Sequence, residues 1–106
     1  MQESLAEQIG RDGDVIVVGD LRVFPEDYIA EFAGERLFPT NKEFQLLLLF
    51  ARHPHRLLRR GLIAEAVWDG QVRGRTIDIH VARLRAQLPQ GAIETVIRLG
   101  YRFVLD

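Results

Sequence analysis

The sequence predicts one small α+β domain, in which a four-stranded antiparallel sheet is followed by three helices and a C-terminal β-hairpin. Three observations support this fold class. A chain of 106 residues is long enough for one hydrophobic core but not for two. Over residues 15–38, short apolar stretches alternate with turn residues, and connections this short join only antiparallel neighbours. Two segments within residues 41–88 then carry apolar side chains at helical spacing.

The composition excludes several classes of protein. The apolar fraction of 47% and the charged fraction of 27% are those of an ordinary globular domain. The longest apolar run, residues 46–51, is far shorter than the roughly 18 residues that span a bilayer, so no membrane partner is expected. The absence of cysteine excludes disulfides and thiolate chemistry. Residues 1–10 contain Glu3 and Glu7 and lack the apolar core of a signal peptide, so a cytoplasmic location is expected.

The charged residues are distributed unevenly along the chain. Residues 1–51 contain ten acidic and four basic side chains, whereas residues 52–106 contain five acidic and ten basic ones. The net charge of −1 therefore combines an acidic N-terminal half with a basic C-terminal half. Such an asymmetry indicates an anionic partner for the basic half.

The N-terminal part divides into a polar leader and a β-meander. Residues 1–14 show no firm periodicity and are expected to be a flexible leader or a linker remnant, which leaves residues 15–106 as the domain. A sheet as small as this meander needs an element packed on one face. The four strands of the meander are predicted at residues 15–18, 21–24, 28–32 and 35–38.

Two helices are predicted to follow the sheet. Thr40 and Glu43 match a capping box, which places the start of the first helix at Asn41. Because this helix is apolar on almost all sides, it should be buried between the sheet and the other helices. Pro54 ends it. A second helix is predicted over residues 60–68, and its inward-facing side chains are expected to be Ile63, Ala66 and Val67.

The third helix, predicted over residues 75–88, separates a core face from a solvent face. Its core stripe consists of Ile77, Val81, Leu84 and Leu88. Its solvent face consists of Arg75, Thr76, Ile79, Ala82, Arg83 and Ala86, with His80 and Arg85 on the flanks. A guanidinium binds guanine O6 and N7 bidentately, and an exposed apolar side chain contacts the thymine methyl group. This face therefore has the side chains needed to recognise bases in the major groove of DNA. The pattern leaves open an alternative, in which the face is simply solvated and carries ordinary surface arginines.

A β-hairpin is predicted at the C-terminal end of the domain. Its strands are expected at residues 93–97 and 101–105, with Gly100 available for a positive φ between them, and it carries Arg98 and Arg102. Three helices followed by a hairpin are the elements of a winged helix-turn-helix, in which one helix enters the major groove and the hairpin lies beside it. The fold class is therefore specified as a winged helix.

Several motifs of the chain resemble those of one bacterial family. They lie at residues 40–47 (TNKEFQLL), 65–68 (EAVW), 75–85 (RTIDIHVARLR), 93–96 (IETV) and 100–103 (GYRF). In this order they resemble the C-terminal effector domain of OmpR/PhoB-type response regulators, and the resemblance runs from about residue 15 to residue 104. It implies a domain that binds double-stranded DNA sequence-specifically and regulates transcription.

The resemblance also implies roles for individual side chains. The helix over residues 75–88 matches the family's recognition helix, in which the positions of Ile79 and Arg83 reach base edges. Trp68 has an alternative role, because a tryptophan at a helix end also completes a core. Asp78 is expected to orient neighbouring arginines or to cap the start of the helix, since its charge would repel phosphate. The positions that meet the DNA backbone in the family are those of Trp68, Arg75, Thr76, His80, Arg85 and Thr95, and the wing carries Arg98 and Arg102.

The chain departs from the family pattern at two places that bear on its partners. The hairpin reads TVIR at residues 95–98 where the family usually reads Thr-Val-Arg-Gly, with that arginine in the minor groove. Because a shift of one residue reverses the face of a strand side chain, Arg98 is expected to contact the DNA backbone instead of entering the minor groove. Six residues separate Trp68 from Arg75, fewer than is typical of the loop that can contact RNA polymerase in the family. Members of the family carry an N-terminal receiver domain, so the chain is either the effector domain of a longer protein with a receiver domain or sensor pathway, or a stand-alone relative. The resemblance further implies two copies on tandem half-sites.

Two other classes of function fit parts of the sequence. His53 and His55 suggest a metal site, but no carboxylate lies near them in the sequence. No phosphate-binding loop surrounds Gly70 or Gly74, so no metal, cofactor or catalytic residue is predicted. A winged helix used only for protein–protein contacts would have the same core. The arginines on the third helix discriminate against it, because such a module does not need them.

Overall fold

The N-terminal sheet is the antiparallel meander that the sequence predicts. The computed structural model describes residues 15–106, and the leader predicted at residues 1–14 lies outside the described residues. The four strands lie side by side in the order in which they follow along the chain. The last strand has only two residues and ends before Pro39, which has no N–H to donate to a ladder. The strands are β1 (Ile16–Val18), β2 (Leu21–Phe24), β3 (Ile29–Phe32) and β4 (Glu35–Arg36).

The register of the meander turns one face of the sheet towards the core. Val23 pairs with Ala30, and both side chains are fully buried. Arg22 is exposed and pairs with Val17 on one side and with Glu31 on the other. Since successive side chains of a strand point to opposite faces, this pairing places Val17, Arg22 and Glu31 on the outer face and gives the helices an apolar surface to pack on.

Helix α1 (Asn41–Arg52) begins where the sequence predicts. Glu43 N donates to Thr40 Oγ1 at 3.3 Å, and Thr40 N donates to Glu43 Oε1 at 3.2 Å, which completes the capping box. The helix contacts β1 and both later helices, so it occupies the centre of the domain. Its buried apolar side chains are Phe44, Leu46, Leu47, Phe50 and Ala51.

Helix α2 (Arg60–Trp68) has the predicted bounds. Ile63 and Val67 are buried as expected, whereas Ala66 is exposed, so its predicted inward orientation is wrong. Ala66 lies four residues after Leu62, and residues at this spacing share one helix face. Leu62 is half exposed, which shows that the two side chains form an outer stripe of the helix.

Helix α3 (Thr76–Arg85) begins one residue later and ends three residues earlier than predicted. Beyond Arg85 the chain continues in tighter turns, with bonds from Gln87 N to Leu84 O and from Leu88 N to Arg85 O. Pro89 follows, and a proline disfavours the helical conformation of the residue before it. The predicted core stripe is confirmed, because all of its members are buried: Ile77, Val81, Leu84 and Leu88.

A three-stranded sheet, formed by residues 57–59, 100–103 and 93–96 in that spatial order, completes the fold. Strands β6 (Ile93–Val96) and β7 (Gly100–Phe103) form the predicted hairpin. The predicted bounds, residues 93–97 and 101–105, are wrong at the turn, because the bond from Leu99 N to Val96 O places Ile97 in the turn and Gly100 in β7. Strand β5 (Leu57–Arg59) comes from the segment between α1 and α2 and pairs with β7. The sequence analysis does not predict β5, since three residues are too few to show a period. In the described part of the chain, three helices and this hairpin confirm the α+β winged-helix fold.

Gly100 has a different role from the one that the sequence suggests. The left-handed φ of the hairpin turn, 68°, belongs to Arg98. A Cβ on Gly100 would overlap the carbonyl oxygen of Leu58 and lie 2.9 Å from the Cα of Arg59. Glycine is therefore required here so that β5 and β7 can approach each other.

Candidate nucleic-acid interface

The solvent face of α3 presents Ile79 and Arg83 one helical turn apart. Ile79 is 47% exposed, and Arg83 is exposed as well. No salt bridge among residues 15–106 engages Arg83. A guanidinium and an apolar side chain four residues apart are neighbours on a helix surface, and together they match the guanine edge and the thymine methyl group of the major groove. The same face also exposes Arg75, Ala82 and Ala86.

One flank of α3 is formed by His80 and Trp68. The Nδ1 atom of His80 lies 2.8 Å from the carbonyl oxygen of Thr76, and because a carbonyl oxygen only accepts, Nδ1 is the donor. The Trp68 ring meets the His80 ring edge to face, with the ring centroids 5.1 Å apart. Trp68 also packs partly against the core, so it has the structural role that the sequence left open. This arrangement leaves His80 Nε2 as the ring nitrogen available to a ligand.

The other flank of α3 is formed by Arg85, whose guanidinium is bonded within the fold. Its Nε and Nη2 atoms donate to the carbonyl oxygen of Ile93 at 3.1 and 2.8 Å, and Nη2 donates to Thr95 Oγ1 at 2.7 Å. Arg85 and Thr95, two predicted DNA-backbone contacts, are thus brought together by the structure. The Nη1 group of Arg85 donates to neither Ile93 nor Thr95. Thr76, a third such residue, donates through Oγ1 to the carbonyl oxygen of Arg73 at 2.7 Å.

Asp78 bonds an arginine, but this arginine is Arg60 at the start of α2 and not one of the neighbouring arginines that the sequence predicts. The distance from Arg60 Nη1 to Asp78 Oδ1 is 2.8 Å, and the Tyr101 hydroxyl donates to the same oxygen. The hydroxyl and then the guanidinium hold the pKa of Asp78 below its ordinary value. Burial, followed by the bond to Asp78, raises the pKa of Tyr101. Sequence reasoning does not single out Arg60 or Tyr101, because no spacing rule joins residues so far apart.

The Asp78→Asn variant should lose stability more gradually in acid than the parent. Because the folded pKa of Asp78 lies below its ordinary value of 3.8, its ionised form stabilises the fold above that pH, and the stabilisation is lost as pH falls through the folded pKa. Urea denaturation between about pH 6 and pH 2 measures the effect. Asp69→Asn, at an exposed helix end, is the control and should follow the parent. Equal acid slopes for parent and Asp78→Asn would contradict the assigned bonds.

The tip of the hairpin exposes Ile97, Arg98 and Leu99. Ile97 is 78% exposed, and Arg98 takes the third position of a turn closed by a 2.9 Å bond from Leu99 N to Val96 O. The two wing arginines differ. Arg102 pairs with Glu94 at 2.8 Å, whereas no salt bridge within the described residues engages Arg98. Arg98 is therefore the wing cation that is available to an external anion.

His53 and His55, the histidines that suggest a metal site in the sequence, lie within residues 15–106. Over this range no group of three or more metal-ligating side chains is close enough to hold an ion. His55 Nε2 lies 3.1 Å from Asp106 Oδ1.

An open cleft of about 580 Å³ lies in the loop before α3, between Gly70 and Thr76. None of the helices in the described part is long and apolar enough to cross a membrane.

Comparison with known sequences shows that the chain is similar to the C-terminal parts of transcriptional regulatory proteins. The family model described as "Transcriptional regulatory protein, C terminal" matches residues 34–103. The chain is 39% identical over 94 residues to the alkaline phosphatase synthesis transcriptional regulatory protein PhoP of Bacillus subtilis, covering 82% of this chain and 39% of PhoP. It is 35% identical over 102 residues to the regulatory protein VanRB of Enterococcus faecalis, covering 94% and 46% of the two chains. The chain thus spans less than half the length of these relatives.

Solved structures with the same fold include isolated domains of similar size. The DNA-binding domain of CpxR from Escherichia coli superposes with a TM-score of 0.79 at 28% identity, covering 87% of this chain and 97% of that one. The DNA-binding domain of Klebsiella pneumoniae RstA, solved in complex with the RstA box, gives a TM-score of 0.74 at 26% identity and covers 86% and 97%. The similarity therefore extends over almost the whole of both domains.

Proposed function

The chain belongs to the family of C-terminal domains of transcriptional regulatory proteins, and from this premise we propose that it binds double-stranded DNA sequence-specifically as an OmpR/PhoB-type effector domain. Helix α3 lies in the major groove, and the β6–β7 hairpin is the wing. Ile79 and Arg83 contact base edges. Contacts to the DNA backbone come from Trp68, Arg75, Thr76, His80, Arg85 and Thr95.

The observation that carries this proposal is the division of α3 into two faces. Ile77, Val81 and Leu84 are buried, whereas Ile79 and Arg83 lie on the opposite side and are exposed. An exposed isoleucine beside a guanidinium that no salt bridge within residues 15–106 engages adds little to the stability of this part of the chain, but each side chain has a defined partner in the major groove. The related DNA-binding domain of RstA, solved in complex with the RstA box, supports a DNA-binding role for this fold.

The flanks of α3 supply cations and donors for the phosphates on either side of the groove. Nδ1 of His80 is bonded to Thr76, so the ring donates to a phosphate through Nε2 in its imidazolium form, in which both nitrogens carry a hydrogen. The Nη1 group of Arg85 is left available by the bonds to β6. Arg75 is exposed immediately before the helix. Contacts of this kind fix the register of a protein on the duplex, while the base contacts read its sequence.

The whole protein and its partners are part of the proposal. We infer that two copies bind tandem half-sites, because one small domain buries too little surface for tight specificity. The domain works in the cytoplasm under the control of a receiver domain or sensor pathway, and RNA polymerase is a further partner, although the loop over residues 69–74 is shorter than the loop that contacts it in the family. No catalytic activity, cofactor, metal or membrane partner is proposed.

A salt titration of duplex binding tests the proposal against the alternative of a module that contacts only proteins. At low salt the domain should bind an unrelated duplex, and the logarithm of the binding constant should fall linearly with the logarithm of salt concentration. The slope reports the number of phosphates that the domain neutralises. Absence of binding at low salt would favour the protein-only alternative.

Arg98→Gly should separate the charge of the wing tip from its backbone conformation. Glycine adopts the left-handed φ of 68° that costs other residues roughly 1–2 kcal/mol, so the free energy of unfolding should stay equal or rise. Affinity for all duplexes should nevertheless fall, and the salt slope should decrease by about one unit, because a phosphate contact is lost. Fluorescence anisotropy with duplexes of different sequence measures both effects.

The control for the wing tip is Arg98→Ala, which removes the same charge but keeps a residue that disfavours the left-handed φ. Its DNA affinity should match that of Arg98→Gly, and its stability should be lower. Neither variant should change the preference for A·T over G·C pairs beside the main site. If the preference is lost, Arg98 enters the minor groove instead of meeting a phosphate.

A further inference from the structure

Helix α3 and the wing are joined at two positions, and both junctions meet at Tyr101. Tyr101 lies on β7, is only 4% exposed, and pairs with Thr95 of β6. The ring therefore lies beneath the hairpin, where it has no access to a duplex. Any effect of this side chain on DNA binding has to pass through the elements that it holds.

The first junction is at the N-terminal half of α3. The Tyr101 hydroxyl donates to Asp78 Oδ1, and Arg60 bonds the same carboxylate at 2.8 Å. The backbone of Arg60 donates in addition to the carbonyl oxygen of Leu99 at 3.2 Å. Asp78 of α3 is thus connected to β7 directly, and to the turn of the wing through the first residue of α2.

The second junction is at the C-terminal end of α3. Arg85 donates to the Ile93 carbonyl oxygen and to Thr95 Oγ1 on β6. Its guanidinium carbon lies 5.5 Å from the centroid of the Tyr101 ring, and that of Arg60 lies 5.3 Å from the same centroid. A cation within about 6 Å of an aromatic ring is attracted to it. Both ends of the recognition helix are therefore held against a single ring.

We propose that Tyr101, Asp78, Arg60 and Arg85 form a clamp that fixes the distance between α3 and the wing, so that helix and wing engage the duplex as one rigid unit. The inference rests on the proposed function for its effect on DNA, but the clamp itself is a property of the free domain. Tyr101 is a positioning residue, because it acts through Asp78 and through the two arginines. Charge-assisted hydrogen bonds such as that to Asp78 are stronger than neutral ones, which suits them to this role.

Hydrogen exchange of the free domain tests whether the clamp exists. Tyr101→Phe removes the hydroxyl and keeps the ring, so the backbone amides of β6 and β7 should exchange roughly tenfold faster, while those in the centre of α1 stay as in the parent. Tyr28→Phe makes the same chemical change at an exposed position and should leave every rate unchanged. Asp78→Asn weakens the same bond from the other side and should accelerate the same amides. Unchanged exchange of the wing in both clamp variants would overturn the proposal.

Coupling between helix and wing tests what the clamp does in binding. In the parent, the double variant Arg83→Ala/Arg98→Gly should lose less affinity than the product of the two single fold-changes. The reason is that loss of one contact already moves the rigid unit away from the other contact. In the Tyr101→Phe background the two losses should multiply independently. The same coupling in both backgrounds would overturn the positioning role. If the parent binds no duplex at any salt concentration, the proposed function fails, and the exchange experiment alone decides whether the clamp exists.

Discussion

Replacing Gly100 by alanine is expected to lower the free energy of unfolding by about 3 kcal/mol. The added Cβ would overlap the carbonyl oxygen of Leu58 and lie 2.9 Å from Arg59 Cα. Both atoms belong to the backbone of β5, which cannot move aside as a flexible side chain would. Strand β5 has to separate from β7, and the wing loses its support on that edge. Urea denaturation of parent and variant gives the difference.

Gly34→Ala is the matched control for this prediction. Gly34 has a φ of +83°, but nothing lies within 4 Å of a Cβ added there. Alanine at this position should cost only the roughly 1–2 kcal/mol of a left-handed conformation. Equal losses for Gly34→Ala and Gly100→Ala would contradict the close approach of β5 and β7.

Arg83→Ala is expected to weaken binding to the preferred duplex by roughly 1–3 kcal/mol, and to weaken binding to unrelated duplexes much less. The reason is that a guanidinium bound to guanine O6 and N7 discriminates between bases, whereas a phosphate contact does not. The structure leaves this guanidinium exposed on the solvent face of α3. Affinities for both kinds of duplex at one salt concentration measure the difference.

Arg22→Ala is the control for charge alone. Arg22 is exposed on the outer face of the N-terminal sheet, away from the proposed interface. Its loss should change the affinities for preferred and unrelated duplexes little and by similar factors. If Arg83→Ala reduces both affinities equally, Arg83 contacts a phosphate, and base reading has to come from other residues of α3.

The local signals in the sequence predict most of the fold. The capping box at Thr40 and Glu43 acts over three residues, and the core stripe of α3 repeats within one helix. Strand β5 is missed because its three residues become a strand only through pairing with β7. The inward orientation assigned to Ala66 is wrong for a related reason, since the side of a short helix that faces the core depends on its neighbours.

The site is predicted less completely than the fold. Helical periodicity suffices to place Ile79 and Arg83 on the exposed face, because that face is defined by the core stripe opposite it. The internal partners of Arg85 lie eight and ten residues away, and Arg60 reaches Asp78 from another helix. Such pairs depend on the packing of α3 against the wing and against α2. Their bonds make Arg85 a structural residue as well as a proposed phosphate contact.

The central claim is that α3 reads the base sequence of a duplex, and selection from a random-sequence duplex library tests it most directly. The parent should enrich one defined motif, arranged as a tandem repeat if two copies bind together. Arg83→Ala should enrich a motif that has lost its preference at one position of each half-site and kept it at the others. Failure of the parent to enrich any motif, or identical motifs from parent and Arg83→Ala, would contradict the claim.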